Sequence, residues 1–204
     1  MDTNKLADTY NKIASDYSKD HENDSWDSDF MDYFCEILFQ NAKVLDLGCG
    51  PGIETKKLLM RGFDVQGFDL SEGLLKIARE KVPSALFLQG DMLAKLPYDD
   101  GYFDGVFAKA SLLHIPKEKI DVVLSEICRI LKPKGILHIA LKKGDGEKIV
   151  VENDYGYEYQ RFFSYWQPEE LQDIFRQYNL KILKQDFWTN PGKKTVWLKY
   201  LLQK

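Results

Sequence analysis

The segment VLDLGCGPGIET, residues 44–55, joins an apolar run to a carboxylate and then to three glycines in five residues, Gly48, Gly50 and Gly52. Glycines at that density let the backbone approach a ligand closely. Cys49 enters the turn as a small residue. Two further acids close later apolar runs, Asp69 in GFDLS and Asp91 in QGDM. Asp46, at the edge of the glycine turn, would oppose a pyrophosphate resting there and favour a ligand with a cationic end. A carboxylate at Asp69 can accept both hydroxyls of a ribose. One at Asp91 can accept from an adenine amino group, with Leu70 and Met92 available to flank the ring. Together they describe a pocket for an adenosine-like ligand. The dinucleotide fingerprint G-x-G-x-x-G requires glycine at position 53, where this chain has Ile53. That and Asp46 disfavour a nicotinamide oxidoreductase.

These residues need strands to carry them. KVLDLG (43–48), DVQGFD (64–69), ALFLQG (85–90), DGVFAK (104–109) and GILHIAL (135–141) each read as a short apolar strand bounded by Gly, Asp or Pro. Helical signals lie between them. Glu54 to Arg61 stops at Gly62, and Ser71 can cap a helix bearing Leu74, Leu75, Ile77 and Ala78. KEKIDVVLSEICRILK sets Ile120, Val123, Leu124, Ile127, Ile130 and Leu131 on one face, with Pro133 expected to stop it. The β-α-β-α rhythm predicts a mostly parallel, doubly wound α/β sheet with helices on both faces. Beyond Leu141 come a mixed stretch, a helix opening at Pro168, and two strands joined through Thr189-Asn190-Pro191-Gly192.

The chain has 204 residues, 44% hydrophobic and 29% charged, which fits one domain with a substantial core. Residues 1–40 read as a helical cap and 142–167 as an insertion of lid size. No apolar run reaches the roughly 20 residues that span a bilayer, and the first residues lack a signal-peptide core. A cytoplasmic location is expected. The three cysteines form no CxxC pair, so no metal site is indicated. A net charge of −4 argues against nucleic acid as partner.

The chain resembles the class I S-adenosylmethionine-dependent methyltransferases. VLDLGCGPG is similar to their first motif, FDLS to the ribose-binding segment and GDM to the adenine-binding segment. FDGVFAKASLLHIP and LKPKGILHIAL are similar to the later strand–helix motifs. The resemblance runs over about residues 40–141 and more loosely to the C-terminus. It implies a Rossmann-like seven-stranded sheet with an antiparallel C-terminal strand, and S-adenosylmethionine as cofactor. Gly48 and Gly50 would contact its methionine part, Asp69 its ribose, and Asp91 and Met92 its adenine. The segment Ala108–Ser111 would wall the methyl-bearing side. A leading YxxIAxxY stretch, Tyr10 to Tyr17, often covers the cofactor in such enzymes, which brings Tyr17 to the site.

A small-molecule acceptor taking the methyl group on O, N or S is the expected substrate, acted on by a monomer or homodimer. His114, in SLLHIP, is the candidate base; His138 reads as structural, and His21 reaches the site only if the N-terminal segment folds over it. Lys109 departs from the small residue usual in that motif and, with Ser111, Tyr157 and Arg161, is a candidate for the acceptor pocket. In DYGYEYQRFFSYW the alternation of tyrosines reads either as a strand with one aromatic face or as a pocket wall. Lys142-Lys143 and Lys193-Lys194 read as solvated surface. Two alternatives stand: an RNA or protein methyltransferase, and a non-catalytic S-adenosylmethionine-binding domain. The N/D-P-P-aromatic signature of amino-methylating nucleobase enzymes is replaced by AKAS, residues 108–111.

Overall fold

A computed structural model describes residues 3–189 and 194–204. The turn expected through Asn190, Pro191 and Gly192, and Lys193, lie outside the described residues. Two helices, α1 (Thr3–Asp20) and α2 (Ser28–Ile37), precede an alternating series. It runs β1 (Lys43–Leu47), α3 (Ile53–Met60), β2 (Asp64–Asp69), α4 (Glu72–Lys81), β3 (Leu86–Gln89), β4 (Phe103–Lys109), α5 (Ile120–Ile130) and β5 (Leu131–Lys143). Then come β6 (Glu147–Glu152), β7 (Tyr159–Trp166), α6 (Pro168–Gln177), β8 (Lys181–Thr189) and β9 (Val196–Gln203).

The first five strands pair in parallel in the order β3-β2-β1-β4-β5. On the far edge of β5 lies β9, antiparallel, followed by β8. This is the expected seven-stranded core with its antiparallel C-terminal strand. The hairpin β6–β7 adds to this core and brings the sheet to nine strands among the described residues. Its placement matters for the site. β4 leaves β5 at Ala140, and β7 pairs with Lys142 and Lys143 of β5 while β9 holds the other edge at Lys142. The hairpin therefore continues the sheet above the carboxyl end of β4.

The strands are buried on both faces. Val44, Leu45, Leu47, Val106 and Leu137 are inaccessible to solvent. The α5 face packs there as its spacing predicts, with Ile120, Val123, Leu124, Ile127 and Ile130 buried. Pro133 does not end α5, however. The helix stops at Ile130, and Leu131 is already extended, at φ −74 and ψ 136. Proline disfavours helix in the residue before it as well as at its own position, and β5 begins early. The register between β4 and β5 slips around Pro133, where Lys134 takes φ 66.

On the opposite face α2 packs Phe30, Met31 and Phe34 against Val44, Phe107, Ile136 and Leu201. His138 of β5 sits in this layer, away from the site, with Nδ1 facing the Tyr200 carbonyl oxygen at 3.1 Å and Nε2 facing Asp27 Oδ2 at 2.7 Å. Asp27 is the cap residue of α2, so one buried pair fixes where the helix starts. Helix α1 lies over the carboxyl ends of the strands. Asn11 Oδ1 accepts from Ser71 Oγ and from the Gly73 amide, both at 2.8 Å, tying α1 to α4. On its other side Thr9 Oγ1 donates to the Gln160 carbonyl oxygen of β7 at 3.0 Å.

Candidate active site

The glycine turn leaves β1 with Gly48, Gly50 and Gly52 at φ 77, 52 and 80. A Cβ on Gly48 would lie 2.2 Å from the Cβ of Ser111, so β1 and the residues after β4 approach backbone to side chain there. Asp69, at the tip of β2, ties this turn to the next. Its Oδ2 accepts from the Gly50 amide and its Oδ1 from the Ser71 amide, both at 2.8 Å. Burial raises the Asp69 pKa, and these backbone bonds pull it back. At the tip of β3, Asp91 Oδ1 accepts from the Leu93 amide at 2.9 Å and shapes the loop carrying Met92.

A cavity of about 450 Å³ opens between these tips, α1 and β7. That volume suits a small organic ligand. Of the residues expected at the site, Tyr17, Gly48, Cys49, Gly50, Asp69, Leu70, Asp91, Met92, Lys109, Ser111, His114 and Arg161 line it.

Four do not. Asp46 is 2% exposed and accepts from Thr55 Oγ1 at 2.6 Å, beneath the glycine turn. Burial, then the neighbouring Glu54, raises its pKa to about 7. The acid on the cavity wall is instead Glu54, in the first turn of α3, ion-paired with Lys109 at 2.7 Å and Lys57 at 3.2 Å. Gly52 is the N-terminal cap of α3, where a side chain would press on Ala78 and Phe87 at 3.1 and 3.3 Å. Ala108 is fully buried in the sheet, and Ala110, at φ 54, takes its place on the wall. Tyr157 donates to Asp16 Oδ2 at 2.8 Å and lies off the cavity. Gly156, at φ 81, turns the chain, so strand alternation begins only at Tyr159. Tyr155 and Tyr159 stack at 5.4 Å, and both line the cavity.

Part of the cavity wall is aromatic. Trp26 stacks on Trp197 at 4.5 Å and Trp188 at 5.6 Å, and Lys109 Nζ sits 4.8 Å from the Trp26 ring centre. Lys109 is thus engaged by Glu54 and Trp26 rather than pointing to solvent. Arg161 is gripped by Glu152, Nε and Nη2 each donating over 2.6 Å. His21 also lines the cavity, stacked on Tyr17 at 4.0 Å. Glu54, Glu152 and the tryptophans were not singled out from the sequence. Glu54 carried a signal, lying two residues beyond the last loop glycine; the tryptophans, distant in the chain, carried none.

The Ser111 hydroxyl is buried at the cavity without a hydrogen-bond partner. A buried unpaired hydroxyl costs stability unless a ligand or water meets it. With the Asp69 carboxylate and the Gly48–Gly50 backbone beside it, the wall fits a polar nucleoside ligand. Among the described residues no cluster of three or more His, Cys, Asp or Glu could hold a metal ion.

Residues 44–135 match a methyltransferase domain family model. The chain is 42% identical over 105 residues to the putative methyltransferase YqeM of Bacillus subtilis, covering 49% of this chain and 42% of that protein. It is 37% identical over 102 residues to trans-aconitate 2-methyltransferase of Paracidovorax citrulli, covering 49% and 38%. The chain spans about half the length, or less, of the curated relatives it matches. In fold it is similar to a Burkholderia thailandensis 1,6-didemethyltoxoflavin-N1-methyltransferase solved with 1,6-didemethyltoxoflavin and S-adenosylhomocysteine. The TM-score is 0.78 at 20% identity, over 98% of this chain and 88% of that one. Residues 44–135 thus match a methyltransferase domain, and the sheet order and glycine turn are similar to those of the class I S-adenosylmethionine-dependent methyltransferase family. S-adenosylmethionine is that family's cofactor.

Proposed function

We propose that this chain transfers the methyl group of S-adenosylmethionine to an O, N or S atom of a small molecule. One observation carries the reading: the Asp69 carboxylate, held by two backbone N–H groups, faces a cavity walled by the glycine turn. Asp69 would hold the ribose hydroxyls, Leu70, Asp91 and Met92 the adenine, and Gly48, Cys49, Gly50 and Ser111 the methionine part. The cofactor supplies an activated, sulfonium-bound methyl group. The chain's task is to align a nucleophile about 3 Å from it and exclude water, which contributes several kcal/mol. Helix α1, with Tyr10 and Tyr17 over the cavity, serves that exclusion.

The aromatic wall, with its paired cations, supports a small acceptor. A net charge of −4 supports one other than nucleic acid. Among the described residues no helix is long and apolar enough to cross a membrane. Titration calorimetry with S-adenosylmethionine and S-adenosylhomocysteine tests the reading. Binding in the micromolar range, about −8 kcal/mol, is expected. Asp69→Ala should weaken it by about 2–4 kcal/mol, roughly 30- to 1,000-fold. Unchanged affinity in that variant removes Asp69 from the ribose.

A further inference from the structure

One oxygen in the cavity has its hydrogen-bonding role dictated by its neighbours. His114 ends the short 3-10 turn Leu112–His114 and is 7% exposed. Its Nδ1 lies 2.6 Å from the carbonyl oxygen of Phe162. A carbonyl only accepts, so Nδ1 carries the ring hydrogen. Burial, with Arg161 and Lys142 nearby, lowers the His114 pKa to about 3 against the help of that carbonyl. The ring is therefore neutral and Nε2 is a bare acceptor. The Tyr10 hydroxyl lies 2.7 Å from Nε2 and must donate to it. The Tyr10 oxygen is left to the cavity as an acceptor and nothing else. Its second neighbour, Arg161 Nη1, is a donor and makes a long bond of 3.4 Å to that oxygen, which leaves one further lone pair to the cavity. Arg161 cannot swing away without leaving Glu152.

We propose that Tyr10 selects a methyl acceptor whose nucleophilic atom carries a hydrogen, an O–H or N–H, over one that carries none, such as an ether, a thioether or a tertiary amine. The inference rests on the methyl-transfer reading above and narrows its substrate class. His114 acts as the positioning residue, because it alone takes the Tyr10 proton out of the cavity. A nucleophile donating to Tyr10 is turned so that its lone pair points elsewhere, where a methyl group can be met in line. A nucleophile without hydrogen brings its lone pairs against those of Tyr10 and gains no hydrogen bond from it. Sites built to hydrogen-bond a substrate hydroxyl reject the analogue that lacks it for this reason.

Phenol and anisole separate the two cases, since they are similar in shape and only phenol donates. The full chain is first saturated with S-adenosylhomocysteine, followed by calorimetry, and each probe is then titrated by ligand-observed NMR. The expected result is phenol binding about tenfold more tightly than anisole. Tyr10→Phe should bring the two within twofold and leave S-adenosylhomocysteine affinity within twofold of wild type. His114→Leu frees the Tyr10 hydroxyl to donate into the cavity, and anisole should then bind as well as phenol. Should that variant not fold, the Tyr10→Phe comparison decides alone. The proposal is overturned if wild type fails to prefer phenol, or if the preference survives Tyr10→Phe. It is overturned equally if Tyr10→Phe abolishes S-adenosylhomocysteine binding, which would assign the oxygen to the cofactor. Absence of S-adenosylhomocysteine binding to wild type removes the cofactor reading itself, before either probe is added.

Discussion

At the scale of single residues, the acids near the glycine turn divide into two kinds. Asp69 faces the cavity with both oxygens held by amides, whereas Asp46 lies beneath the turn and binds Thr55. The burial that raises Asp46 to about 7 has a stability consequence. Unfolded, this carboxyl releases its proton near pH 4. Folded, it keeps the proton until about pH 7. The native state binds more protons across that window, so the contribution of Asp46 to stability falls as pH rises from about 4 to 7 and is level above. Asp46→Asn should lack this slope, so urea midpoints of the two proteins should converge at pH 4 and separate by pH 7.5, the variant being higher. A parallel pair of curves would remove the assignment. Gly48→Ala is a harsher change, combining a positive φ with a Cβ 2.2 Å from Ser111. It should cost at least about 1–3 kcal/mol in urea unfolding and abolish S-adenosylhomocysteine binding by calorimetry.

Among the elements, α2 illustrates how the protein supports its site from behind. Phe34 is fully buried and meets Phe107 edge-on at 5.3 Å, under the strand that leads to Ser111. Phe34→Ala should cost about 3–5 kcal/mol, a large share of the roughly 5–15 kcal/mol that holds a domain folded. Denaturant unfolding measures it. The strands and helices of the alternating series were legible because each announces itself locally, by an apolar run or a cap such as Ser71, whose Oγ accepts from the Leu74 amide. The glycine turn and Asp69 were legible for the same reason. Asp46 was misplaced because sequence fixes the acid at the strand end but not the pleat side on which it emerges. Tyr157 was misplaced because one glycine broke an alternation that looked strand-like. The tryptophan stack joins residues 26, 188 and 197 and depends on how the sheet closes, which local patterns do not encode.

For the molecule as a whole, the cavity is a joint product of segments far apart in sequence, and a ligand that bridges them should stabilise all of them together. S-adenosylhomocysteine at a hundredfold excess over its Kd adds about 2.7 kcal/mol. For a chain of this size that raises Tm by about 5–10 °C. Amides of α1 should exchange more slowly in its presence, because Tyr10 and Tyr17 close over the cavity. A thermal shift without protection of α1 would mean that the ligand binds without this lid.

The packing of α2 on Leu201 of β9 also bears on how the protein is made. During translation α1 and α2 leave the ribosome well before β9, so the surface on which α2 rests does not yet exist. The helix that will back the sheet behind the cavity must wait, unburied, while the strands are threaded. Chaperones that shield apolar nascent segments should meet this protein at α2.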